Sequence, residues 1–199
     1  MYCLTKSIPA IILNSGYSTR LGEPKSLIQV NGKSLLTHAV ERLLFAGCSP
    51  IVIVVNKELQ FDSVMNSNGA TVVVNNNPEN GRTGSLKVAL NSILTELGRI
   101  PNSVIMSPID RPGWKSSHIT QLFQAKKSSC LSQSGQKGHP VKLVKSDLLK
   151  IINAPDDIPL RDLVEFDNTE VADALLSLNI DTPEDLVELS KHSEFFDEL

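Results

Sequence analysis

The chain is 199 residues long, 41% hydrophobic and 21% charged, enough for one globular domain, 1–199, that buries its core without disulfide or metal staples. With 19 basic and 22 acidic residues, a net charge of −3 and only one Trp, two Tyr and six Phe, it has neither the field nor the stacking surface for nucleic acid. Nor does anything draw it to an anionic membrane; Cys3, Cys48 and Cys130 are far apart with no C-x-x-C, which argues against a disulfide framework or zinc site and for a reduced, cytoplasmic setting.

In chain order, the apolar run Ile8–Leu13 predicts a buried strand and is too short for a signal sequence or a membrane span. Asn31-Gly32, between Leu27–Val30 and Lys33, predicts a tight hairpin turn. Leu35, Leu36, Ala39, Val40, Leu43 and Leu44 keep helical spacing after Ser34, an N-cap residue, and stop at Gly47. Strands follow at Ile51–Val55 and Thr71–Val74, then a helix from Ser85, its cap, to Leu97, closed by Gly98. Val104–Met106 predicts a strand, Ser116–Lys126 a helix, Val141–Val144 and Leu175–Ile180 two further strands, and Pro183–Ser190 a helix capped by Thr182. Strand and helix alternate, and several strands are apolar on both faces. This is the pattern of an α/β fold with a doubly wound, mostly parallel, Rossmann-like sheet, whose ligands bind beyond the carboxyl ends of the strands.

The loop after the first strand holds the strongest chemical signal. Leu13-Asn14-Ser15-Gly16 leads through Ser18 to Arg20, Gly22 and Lys25. Gly16 and Gly22 allow close backbone approach, loop N–H groups can wrap phosphate oxygens, and Arg20 and Lys25 add charge to the same anion, so the loop is expected to cradle a nucleoside triphosphate. Asp110 follows a buried strand and is expected to hold a hard divalent cation, Mg²⁺ or Mn²⁺, with Asp181, at the end of the Leu175–Ile180 run, as a second oxygen donor. Ser85, heading its helix, can face the base or phosphate, and His139, in a Gly-Pro turn, can meet an acceptor.

These residues resemble, in order along the chain, the motifs of the MobA-like nucleotidyltransferases. That family's opening signature reads approximately L-A-A-G-x-S-x-R-M-G-x-P-K, and here Leu13, Gly16, Ser18, Arg20, Gly22, Pro24 and Lys25 stand in those places. Asn77-Pro78 with Gly84-Ser85-Leu86, Asp110-Arg111-Pro112 beside the family's D-M-P, Gly138-His139-Pro140-Val141, Leu160-Arg161-Asp162-Leu163 and Ile180-Asp181-Thr182-Pro183-Glu184-Asp185-Leu186 match the later motifs. The resemblance implies a nucleotide-diphospho-sugar transferase type of fold and transfer of a nucleotidyl group to a small phosphorylated acceptor with release of pyrophosphate. Pro24-Lys25 without a following Gly, and the G-H-P-V element, are most similar to the molybdopterin cytidylyltransferase branch, implying CTP as donor and molybdopterin as acceptor. Asn14-Ser15 replace two small residues, Leu21 a Met and Ile109 a Gly, while Asn179 stands where an acid is usual. Asn14, Ser15 and the loop backbone beside them are therefore expected to read the base edge. GTP as donor, a sugar or alcohol phosphate as acceptor, and a nucleotide-binding accessory protein without turnover remain the alternatives.

Overall fold

A computed structural model describes residues 7–199; Cys3 lies outside the described residues. Strand β1 (Ile8–Asn14) leads to a short hairpin, β2 (Gln29–Val30) and β3 (Lys33–Ser34), followed by helix α1 (Leu35–Phe45). Next come β4 (Cys48–Val55), α2 (Gln60–Met65), β5 (Thr71–Val74), α3 (Gly81–Leu97), β6 (Ser103–Pro108) and α4 (Ser116–Gln124). The chain closes with β7 (Ser129–Gln133), β8 (Gln136–Val144), α5 (Lys145–Asn153), α6 (Leu160–Leu163), β9 (Asp167–Glu170) and α7 (Pro183–Lys191).

The seven-stranded sheet runs β5-β4-β1-β6-β8-β7-β9. β5, β4, β1 and β6 are parallel, β8 lies antiparallel between β6 and β7, and β9 pairs parallel to β7. Side chains of β1 alternate between two cores, as a strand's period of two requires. Ala10 and Ile12 pack with Leu36, Val40 and Leu43 of α1 and with Ile119 and Leu122 of α4. Ile11 and Leu13 pack on the other face with Leu86, Leu90 and Ile93 of α3 and Leu148 and Ile151 of α5. Covering both faces is what makes β1 and β4 read as unbroken apolar runs.

The local signals are realised at several places. Asn31 and Gly32 carry φ of 50° and 77°, the left-handed pair that a two-residue hairpin demands. Ser34 accepts the Thr37 N–H at 3.1 Å and caps α1, and Gly98 ends α3 in the left-handed conformation at φ 64°.

Three expectations are corrected. Leu175–Ile180 is no strand: Ala174, Leu176, Leu178 and Ile180 bury their side chains, but the backbone turns on itself (Leu178 N–H to Leu175 carbonyl, 2.9 Å) and bonds to the loop after β6 instead of a strand. Gly113 accepts the Leu175 N–H at 2.8 Å, an approach that leaves no room for a Cβ. Helix α3 begins at Gly81, so Ser85 sits in its second turn and is not its cap. His139 lies within β8, because that strand runs back to Gln136 to pair with β7. Strands β7 and β9 and helices α2, α5 and α6 complete the fold without having been expected.

One side chain ties the layer of α1 to the loop that follows β6. Arg42 of α1 is buried and donates to the carbonyls of Pro112 (3.2 Å), Trp114 (2.7 Å), Phe195 (2.8 Å) and Glu198 (3.2 Å), with the Phe195 and Phe196 rings against its guanidinium. Burial pushes its pKa down to about 10, against the opposing charge of Glu198. Arg42→Ala strands these carbonyls and is expected to destabilise the fold by on the order of 3 kcal/mol in urea unfolding, with Arg42→Lys recovering little because an ammonium cannot span the same fan of acceptors.

Candidate active site

β1 and β6 run side by side in register, Leu13 opposite Pro108, so their carboxyl ends open at one level. The loop leaving β1 folds on itself: the N–H groups of Leu21 and Gly22 both donate to the Ser18 carbonyl (3.0 and 3.1 Å), and Ser18 Oγ accepts from the Lys25 N–H at 3.3 Å. Gly22, at φ 85°, supplies the left-handed turn that returns the chain to Lys25. Beyond β6, Ile109 N–H reaches the Leu13 carbonyl at 3.0 Å and sets Asp110 over the loop. The irregular segment before α7 completes the site, since Ile180 N–H donates to the Asp110 carbonyl at 2.9 Å and delivers Asp181 beside it.

Lys25 Nζ pairs with Asp181 Oδ1 and stands 3.9 Å from Asp110 Oδ2. Arg20 approaches Asp181 at 3.3 Å from the exposed rim, and Arg82 approaches Asp110 at 3.7 Å from the first turn of α3. The Lys25 hydrogen bond, then the one from Asn179 Nδ2 (2.7 Å), then the charges of Lys25 and Arg20 hold the Asp181 carboxyl down at about 2 against the opposing effect of burial. Asp110 Oδ1 and Asn179 Oδ1 are buried without hydrogen-bond partners. Among the described residues no three His, Cys, Asp or Glu side chains are grouped to hold a metal ion. An unpartnered carboxylate oxygen beside a second carboxylate fits a hard divalent cation that takes its remaining oxygens from phosphates and water.

A cavity of about 200 Å³ lies between this charge cluster and the loop, lined by Leu13, Asn14, Ser15, Gly16, Ser18, Lys25 and Ser85 among others. Its bed is a buried polar network. Asn14 Nδ2 donates to Ser63 Oγ (3.3 Å), Ser15 and Ser85 share a 2.8 Å hydroxyl contact, Asn75 Nδ2 donates to Ser85 Oγ (3.0 Å), and Ser85 bonds back to the Gly81 carbonyl (3.0 Å). Asn56 Nδ2 reaches the carbonyls of Ser15 (3.3 Å) and Gly16 (3.4 Å). The side chains of Asn14, Ser15 and Ser85 therefore brace the loop. All three residues also line the cavity.

His139 is apart from this cluster. It lines a second cavity of about 650 Å³, with Arg82, Arg111, Lys137 and Arg161 among its polar walls and Met106, Val141, Ile158 and Phe166 among its apolar ones. Gly81 and Arg82 line both cavities and mark the seam between them. Burial first, then the charges of Arg82 and Arg111, push the His139 imidazole down to about 4, so it is neutral near pH 7. Arg82 and Arg111 were not singled out in the sequence, although Arg111 occupies the middle of an Asp-x-Pro motif where Met is usual.

Residues 10–183 match the model of the MobA-like NTP transferase domain. A curated protein of Paenarthrobacter nicotinovorans, nicotine blue oxidoreductase, is 24% identical over 146 residues, covering 67% of this chain and 69% of its own. Among solved structures, Rv0371c of Mycobacterium tuberculosis superposes with a TM-score of 0.77 at 20% identity over 93% of this chain and 97% of its own, and it has also been solved with manganese. Molybdopterin-guanine dinucleotide biosynthesis protein A of Archaeoglobus fulgidus gives a TM-score of 0.67 at 18% identity, covering 94% of this chain and 99% of its own. These similarities establish a common fold.

Because the Asp181 carboxyl sits below its ordinary 3.8, its ionised form adds stability that is complete above about pH 4 and is lost as pH falls towards about 2. The stability difference between the wild type and Asp181→Asn, read from urea midpoints, is expected to shrink over that window; a difference independent of pH would contradict the Lys25–Asp181 pairing.

Proposed function

This chain belongs to the MobA-like NTP transferase family, and we propose that it transfers CMP from CTP to a phosphorylated acceptor, molybdopterin, with release of pyrophosphate. The observation that carries the reading is the convergence of Lys25 on Asp110 and Asp181 at the carboxyl ends of β1 and β6, next to a loop that lines an open cavity. Choice of CTP and molybdopterin rests on the resemblance of Pro24-Lys25 and Gly138-His139-Pro140-Val141 to the cytidylyltransferase branch.

The reaction is an in-line displacement. An oxygen of the acceptor's phosphate attacks the α-phosphorus of CTP, the bond from that phosphorus to the bridging oxygen breaks, and pyrophosphate leaves with the electron pair. No covalent enzyme intermediate is required, so positioning and charge carry the rate. The loop from Leu13 to Gly22 holds the nucleotide; Lys25, released from Asp181 by the incoming triphosphate, and Arg20 take the β- and γ-phosphates and stabilise charge on the leaving group. Asp110 and Asp181 would hold Mg²⁺ or Mn²⁺, whose chemistry there is neutralisation of phosphate charge. Neutral His139 contacts the acceptor across the seam. The neighbouring Arg82 and the loop backbone keep donor and acceptor in one line.

Competition of CTP, GTP, ATP and UTP in one pyrophosphate-release assay with molybdopterin tests this. CTP is expected to win, and Asp110→Asn, well folded, is expected to lose on the order of 100-fold or more of the rate. Preference for GTP would move the chain to a guanylyl transfer, and release from none of the four would make it a nucleotide-binding protein without turnover.

A further inference from the structure

The larger cavity carries two arginines, Arg82 at the seam with the nucleotide cavity and Arg111 within the larger one. Arg111 lines the larger cavity, half-buried, and among the described residues makes no ion pair and no side-chain hydrogen bond. The nearest carboxylate in sequence, Asp110, is already shared between Lys25 and Arg82. A cation taken partly out of water without a counter-ion is unfavourable in the protein alone, which marks the place for an anionic ligand. Arg82 faces the same cavity from α3, and both guanidinium charges act on His139 between them.

Resting on the transferase reading, we propose that Arg82 and Arg111 are the specificity-determining residues for the acceptor, together gripping the phosphate whose oxygen is the nucleophile. Guanidinium groups match phosphate oxygens geometrically, and Arg82 at the seam with Arg111 in the same larger cavity hold the acceptor phosphate within reach of the donor cavity while discriminating against an uncharged alcohol. The chemistry of the wall agrees. A hydroxyl nucleophile needs a base to take its proton, and His139, held near 4, is a poor one. A phosphate monoester, with its second ionisation near pH 6, arrives already deprotonated at neutral pH and needs no base. In the transfer, one phosphate oxygen forms the new bond to the α-phosphorus, no proton moves, and pyrophosphate leaves.

The test follows the His139 imidazole by NMR while inorganic phosphate is titrated into the nucleotide-free protein. In the wild type the imidazole signals are expected to shift and its pKa to rise, as bound phosphate offsets the two guanidinium charges. In Arg111→Met and in Arg82→Met half-saturation is expected to need on the order of tenfold more phosphate, with Arg111→Lys between the two, while Lys25→Ala leaves the response in place. No response of His139 in the wild type, or the same response in both Met variants, would overturn the proposal. Turnover of CTP is a separate readout: its absence would count against the transferase reading and leave the phosphate site to be judged by His139.

Discussion

Two carboxylates from distant parts of the chain share one cation, and the carboxyl end of the sheet is organised around that arrangement. Asp110 is placed by the strand order, because β6 ends level with β1, whereas Asp181 is placed by a loop bonded through Ile180 to the Asp110 carbonyl. Left alone, two carboxylates so close would repel each other, and Lys25 removes that repulsion while Asp110 Oδ1 stays unpartnered. The site is therefore neutralised from within by Lys25, which heads a single 3₁₀ turn, Lys25–Leu27, where the loop ends, so that an incoming polyanion competes directly with the carboxylates for it.

Supports for that cluster come from both faces of the sheet. Arg42 and the rings of Phe195 and Phe196 hold the loop through Pro112 and Trp114 on one side. The chain from Asn14 to Gly16 is braced by Asn56, Ser63, Asn75 and, from α3 on the opposite face, Ser85. Buried polar networks of this kind rigidify when every member is satisfied, and a rigid loop backbone is what presents fixed N–H groups to a ligand.

The parallel half of the fold was legible in the sequence because its strands are apolar on both faces and its turns carry Gly and Asn where positive φ is needed. The far edge was not. β9, Asp167–Glu170, has no apolar side chain, and in β7 the buried Ser129 and Ser132 interrupt the apolar run; a polar edge strand such as β9 hides its own signal while blunting edge-to-edge pairing. Leu175–Ile180 misled in the opposite sense, since burial alone made a turn look like a strand. α5 could have been found, as Leu148, Ile151 and Ile152 keep helical spacing. Arg20, Lys25, Asp110 and Asp181 stood out by their motifs, but which cavity His139 and Arg82 face did not: they take their places from the pairing of β8 with β7 and from the start of α3 at Gly81, both set by tertiary contacts.

The most direct measurement of the central arrangement is Mn²⁺ binding by electron paramagnetic resonance, with and without CTP. With Lys25 seated between Asp110 and Asp181, the expected result is weak binding of Mn²⁺ alone and much tighter binding once the triphosphate has drawn the ammonium away. Equal affinity in both conditions, at wild-type sequence, would contradict the exchange of partners at Lys25 on which the site is built.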